Sequence, residues 1–95
     1  AMPTQVYLSN DPIAQQTVLE VITPDRPGLL ARIGGIFAEY HLSVRKAKIA
    51  SVGERVEDFF FITDETGLPV SDPELCKKLQ DEVCHQLDEH IQHER

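Results

Sequence analysis

Ninety-five residues, 41% hydrophobic and 26% charged with no Trp, describe one small domain that buries roughly 60–65% of its unfolded-chain surface and leaves no room for two. Sixteen acids against nine bases give a formal charge of -7. With no basic cluster beyond Arg45, Lys46 and Lys48, nucleic acid and anionic membrane are excluded as partners, because phosphate binding needs a concentrated basic face.

Ala1-Met2 is expected to be the scar of an expression tag, since a natural start puts Met first, and the domain a piece of a longer protein. Neither an apolar run of about 18 residues nor a leader pattern occurs, so a cytoplasmic location is expected. A first strand is predicted at Thr4 to Ser9, with Val6 and Leu8 on one face and Tyr7 on the other, before a loop that starts Asn10-Asp11-Pro12. Thr17 to Thr23 is β-branched and apolar on both faces except for Glu20, the pattern of a central strand. Pro24-Asp25-Arg26-Pro27-Gly28 stops it, because proline lacks a backbone donor.

From Leu29 the period changes from two to 3.6. Leu30, Ile33, Phe37 and Tyr40 form one stripe, which predicts an amphipathic helix packed on a sheet. Gly34-Gly35 in its middle costs up to about 1 kcal/mol per residue relative to Ala, so a close approach of the helix to its own sheet or to a partner helix is expected. Leu42 to Val52 is a long β segment whose apolar parity changes near Arg45, the mark of a bulge or strong twist. After a turn at Gly53, Val56 to Thr63 returns antiparallel. Phe59-Phe60-Phe61-Ile62 is apolar on both faces, and a second sheet or subunit is expected on the face that two helices leave bare.

Ser71-Asp72-Pro73-Glu74 is a capping signature, with Pro in the first turn and Glu three residues after Ser. The helix it opens runs to about Leu87, with Leu75, Leu79, Val83 and Leu87 as its buried stripe, and residues 89–95 are expected to form a polar, fraying tail. Cys76 and Cys84 are eight apart on this helix, about 12 Å by rise alone, so they are expected as free thiols. Removing the first strand leaves βαββα, the ferredoxin-like βαββαβ plan without its last strand. The predicted fold is therefore α+β, a ferredoxin-like sandwich with a four-stranded antiparallel sheet and two helices on one face. Its order is ββαββα, the N-terminal strand replacing the usual last one.

Chemistry concentrates between Thr23 and Leu30, where a central strand meets a helix N-terminus. Such an end exposes unpaired N–H groups and partial positive charge, a place for a carboxylate. Asp25 can accept from an ammonium or amide, so the pair suits a zwitterion, and Gly28 lets a ligand approach the backbone. The plainer alternative is that Asp25 caps the helix and Pro27-Gly28 merely turns the chain.

The run from strand to Asp25-Arg26-Pro27-Gly28-Leu29-Leu30 to amphipathic helix, followed by Leu42-Ser43-Val44, resembles the ACT domain, a ferredoxin-like module that binds amino acids. Gly53-Glu54-Arg55, Glu57-Asp58-Phe59-Phe60 and the extra N-terminal strand are similar to the C-terminal ACT domains of enzymes that add UMP to the PII nitrogen-signal protein and remove it. The resemblance covers residues 3–88. It implies an L-glutamine sensor with Asp25, Arg26, Gly28, Leu29 and Leu30 of one domain and Ser43 of another as ligand-binding residues. The partner domain would be an adjacent ACT domain or a second copy in a homodimer. It further implies PII as the substrate of the parent, Mg2+ as a cofactor of the parent, and no cofactor, metal or catalytic residue in these residues.

Three other readings compete. An ACT pairing module would associate without binding an amino acid, and the amino acid sensed could be another than glutamine. A catalytic centre would need paired metal-binding acids or a His-Asp cluster. Asp58, Asp64 and Glu65 have no such spacing and are expected as solvated strand-end acids, and Asp81, Cys84, His85, His90 and His93 as a polar helix end.

Overall fold

The computed structural model describes residues 2–93, and side chains over residues 2–89. The order is β1 (Gln5–Asp11), β2 (Gln16–Pro24), α1 (Leu29–Glu39), β3 (Ser43–Lys48), β4 (Ser51–Val52), β5 (Arg55–Thr63) and α2 (Pro73–His93). The sheet runs β1-β2-β5-β3 with every pair antiparallel, and the two-residue β4 pairs with β5 off that path. β1 lies beside β2, in the slot that the last strand of the βαββαβ plan fills.

Period-two alternation decides the faces. In β2, Thr17, Leu19, Val21 and Thr23 are buried, and in β5, Val56, Asp58, Phe60 and Ile62 are. Against them pack Leu29, Ile33, Ile36 and Phe37 of α1 and Leu79, Val83 and Leu87 of α2 in one core. The Phe37 and Phe60 rings meet edge-on, centroids 5.4 Å apart at 72°. Buried hydroxyls tie the layers: Thr4 and Thr23 share a hydrogen bond of 2.8 Å, and the Val70 amide donates to Thr17 Oγ1 at 2.8 Å.

The segment from Leu42 to Val52 is two strands rather than one. A register shift falls between Val44 and Lys46, as the parity change at Arg45 predicts, and a second break at Ile49-Ala50 separates β3 from β4. The stripe of α1 is rotated from the expected one. Leu29 and Ile36 point inward, whereas Leu30 is 52% exposed, because helical positions one residue apart are about 100° apart and the helix sits on its Leu29 side. α1 ends in a Schellman arrangement: the Leu42 amide donates to Phe37 O and the His41 amide to Ala38 O, with His41 at φ 55° where glycine is usual.

Asp72, not Ser71, caps α2, accepting from the Glu74 amide at 3.0 Å. The helix also passes Leu87 and continues to His93, so the polar stretch begins as helix; residues 94–95 lie outside the described residues. Cys76 and Cys84 are free.

Gly34 and Gly35 make no close approach to the sheet, since a Cβ at either would meet nothing within 4 Å. Both lie on the exposed side of α1. The far face of the sheet is bare as well. Tyr7, Glu20, Phe59 and Lys48 stand in one row and Ser9, Val18, Phe61 and Lys46 in the next. The Lys46 and Lys48 ammoniums lie 5.6 and 5.8 Å from the Phe61 centroid, so two of the chain's clustered cations cover an aromatic ring.

Two outcomes follow for urea unfolding. Leu29→Ala is expected to cost about 2–5 kcal/mol, whereas Leu30→Ser stays within about 0.5 kcal/mol. Gly34→Ala is expected to stabilise the chain by up to about 1 kcal/mol, because the helix gains propensity and the methyl meets open space.

Candidate functional site

The β2–β5 register ends at Pro24 opposite Arg55. That pairing sets the loop after β2 against the β4–β5 turn, and the Asp25 amide donates to Glu54 O at 2.9 Å. The chain then enters α1 through Gly28 at φ 80°, a left-handed conformation that glycine adopts without strain. Gly28 is the residue at the helix start, and no side chain caps the helix. Asp25 is therefore not a cap, and its carboxylate is exposed. The amides of Leu29, Leu30 and Ala31 begin the helix with no intrahelical acceptor, and its first turn carries no acid.

A cavity of about 350 Å³ opens at this helix end, within the range of small-molecule sites, about 300–1,000 Å³. Asp25, Arg26, Gly28, Leu29 and Leu30 all line it. Ser43 does not. It lies opposite Thr63 at the other end of the sheet from Asp25, so a single chain does not bring it to the loop.

In its place the cavity is lined by Ile49, Ser51, Val56 and Asp58. Asp58 overturns its expectation as a solvated acid: it is 1% exposed, on the same side of β5 as Val56 and Phe60. Its Oδ1 accepts from the Ala50 amide at 3.3 Å, while the Ala50 carbonyl accepts from the Glu57 amide at 2.9 Å, and together these hold the break between β3 and β4. Its Oδ2 has no hydrogen-bond partner among the described residues. Burial pushes the Asp58 carboxyl above the usual carboxylate range; the Ala50 amide opposes this, and the nearby Asp25 carboxylate adds to it. Parity with Val56, Phe60 and Ile62 carried the signal, hidden because β5 is apolar on both faces.

The other acids have plainer places. Asp64 Oδ1 accepts from the Thr66 amide, the Thr66 hydroxyl and the Leu68 amide, bonds that organise a turn and hold its carboxyl below the usual range. Lys77 takes Asp81 at 2.8 Å, and His85 Nε2 lies 3.3 Å from Glu89. Among the described residues no group of three or more His, Cys, Asp or Glu is placed to hold a metal ion; the His90 and His93 side chains lie outside them. No helix among them is long and apolar enough to cross a membrane.

Comparison with known proteins bears on the family of the chain. A family model described as "ACT domain" matches residues 17–79. The chain is 62% identical over 87 residues to the bifunctional uridylyltransferase/uridylyl-removing enzyme of Pseudomonas fluorescens (strain SBW25), covering 92% of this chain and 10% of that protein. It is 54% identical over 98 residues to the protein of the same name from Azotobacter vinelandii, covering all of this chain and 11% of that one. The chain thus spans about a tenth of the length of the curated relatives it matches. No solved structure matches it.

Asp58 makes stability depend on pH. A carboxyl raised in the folded state binds its proton more tightly there than in the unfolded chain, so its contribution is full in acid and lost as pH rises through the raised value. The charged groups that face it across the cavity are Asp25 and Arg26. Denaturation across that window should show stability falling with pH in the wild type, and Asp58→Asn should remove that component of the slope.

Proposed function

The chain belongs to the ACT domain family, and from that premise we propose that it is the regulatory module of a bifunctional uridylyltransferase/uridylyl-removing enzyme, with L-glutamine as its effector. The observation that carries the reading is the uncapped start of α1, entered through Gly28 and opening on a cavity that Asp25 and Asp58 also line. A zwitterion matches both ends of that cavity: its carboxylate faces the helix N-terminus and its ammonium faces Asp25 and Asp58.

In this reading the amino acid bridges two ACT units, with Asp25 through Leu30 from one and Ser43 from the other. The second unit is an adjacent ACT domain of the same protein or, for the chain alone, a second copy. Binding favours one packing of the pair over another, and catalytic domains elsewhere in the protein respond to that population. Those domains would add UMP to the PII nitrogen-signal protein and remove it, using Mg2+, in the bacterial cytoplasm.

The bare sheet face, with Tyr7, Val18, Phe59 and Phe61, favours a second reading, an association module that binds no amino acid. One titration separates the two. In amide NMR spectra of the chain, L-glutamine is expected to shift Asp25 through Leu30 and Ser43 saturably, with L-asparagine, L-serine and D-glutamine as controls. Absence of a shift at millimolar glutamine, in the chain and in calorimetry of the full-length protein, would leave the association module as the function.

A further inference from the structure

Asp58 has two carboxylate oxygens and the fold uses one. Oδ1 serves the Ala50 amide at the β3–β4 break, and an Asn at this position would offer the same acceptor without burying a charge. Oδ2 is the remainder: buried, unpartnered among the described residues, and part of a residue that lines the cavity at the start of α1. A buried anion is costly unless a cation or several donors meet it. The described residues give it one amide, at 3.3 Å. The start of α1, which no side chain caps, lines the same cavity. The cavity thus holds the Asp58 carboxylate, the partial positive charge of the α1 start at Leu29, Leu30 and Ala31, and the charged side chains of Asp25 and Arg26.

We infer that Asp58 is the residue that recognises the ligand's ammonium group, its Oδ2 accepting a charge-assisted hydrogen bond from an α-amino acid whose carboxylate lies against the α1 amides. The inference rests on the amino-acid reading of this site and deepens it. It makes Asp58 a specificity residue, because an acid of the same shape without the amino group would leave Oδ2 buried and unmet. Asp25, exposed at the rim, adds field but no enclosed contact. The same carboxylate links ligand to fold: Oδ1 holds the Ile49-Ala50 break, so a cation drawn to Oδ2 bears directly on how β3 passes into β4.

The test is calorimetry on the full-length protein, wild type and Asp58→Asn, with L-glutamine and with glutaramic acid, which is glutamine without its α-amino group. In the wild type, glutamine should bind about ten- to a hundredfold more tightly than glutaramic acid, the factor expected of one hydrogen bond to a charged group. Asp58→Asn should weaken glutamine by a similar factor while binding glutaramic acid at least as well as the wild type does. Unchanged glutamine affinity in Asp58→Asn would overturn the inference and leave Asp58 a support for the β3–β4 break, its Oδ2 met by water. Should the variant not fold, the wild-type comparison decides, and equal affinity for the two ligands overturns it. A wild type that ignores glutamine but binds another of the twenty amino acids sinks the glutamine reading alone, and Asp58 is then judged with that amino acid and its des-amino analogue. A wild type that binds none of them overturns both.

Discussion

Eight residue pairs join β2 to β5 down the middle of the sheet, and the remaining elements take their places from that pairing. One face of the two strands gathers the side chains that both helices cover, so the core forms there. At the Pro24 end the same pairing sets the entrance to α1 beside the β4–β5 turn, and the Asp25–Glu54 backbone bond closes that end. At the Thr63 end it places Ser43, as far from the loop as the sheet allows. The geometry of the candidate site and its separation from Ser43 both follow from one register.

Much of this was legible in the sequence where a pattern had a single physical reading. The β-branched, apolar run from Thr17 to Thr23 and the parity change at Arg45 each allow one arrangement, and the structure adopts it; of the predicted stripe Leu75, Leu79, Val83 and Leu87, the last three are buried and Leu75, in the first turn of α2, is only half-buried. The parts that resisted are those where two patterns overlap. Leu29-Leu30 offers two adjacent apolar residues, and only the docking of α1 decides which is buried. Phe59 to Ile62 is apolar on both faces, so the inward parity of Asp58 could not be separated from an outward one. The ends of α2 were blurred for a third reason, since Ser71 and Asp72 are both good caps and a charged stretch can continue a helix that packing has already formed.

The loop was visible for its glycine, its prolines and its place before a helix, which together mark a turn and an open N-terminus. What completes the cavity, Ile49 of the β3–β4 break, Ser51 of β4 and Asp58 of β5, comes from much later in the chain and meets the loop only through the sheet. Local spacing holds no record of such a meeting. The site also departs from what stability alone would select: a helix start without a cap and a carboxylate out of water. Proteins carry such features where a ligand can meet them.

The place of β1 has a topological consequence. In the βαββαβ plan the edge strand beside the first core strand arrives last, after the second helix, and must travel back across the domain to pair. Here β1 occupies that edge from the other end of the chain, its Thr4 amide bonded to Asp88 near the end of α2. β1 thus takes the place of the plan's last strand and is joined to β2 through the tight turn at Pro12 to Gln15. What would be the longest loop closure becomes a hairpin, and closing a short loop is entropically cheap and fast. An edge that would otherwise wait for the whole domain can form while only the first two strands exist, leaving β2 protected on that side before β5 is available to it.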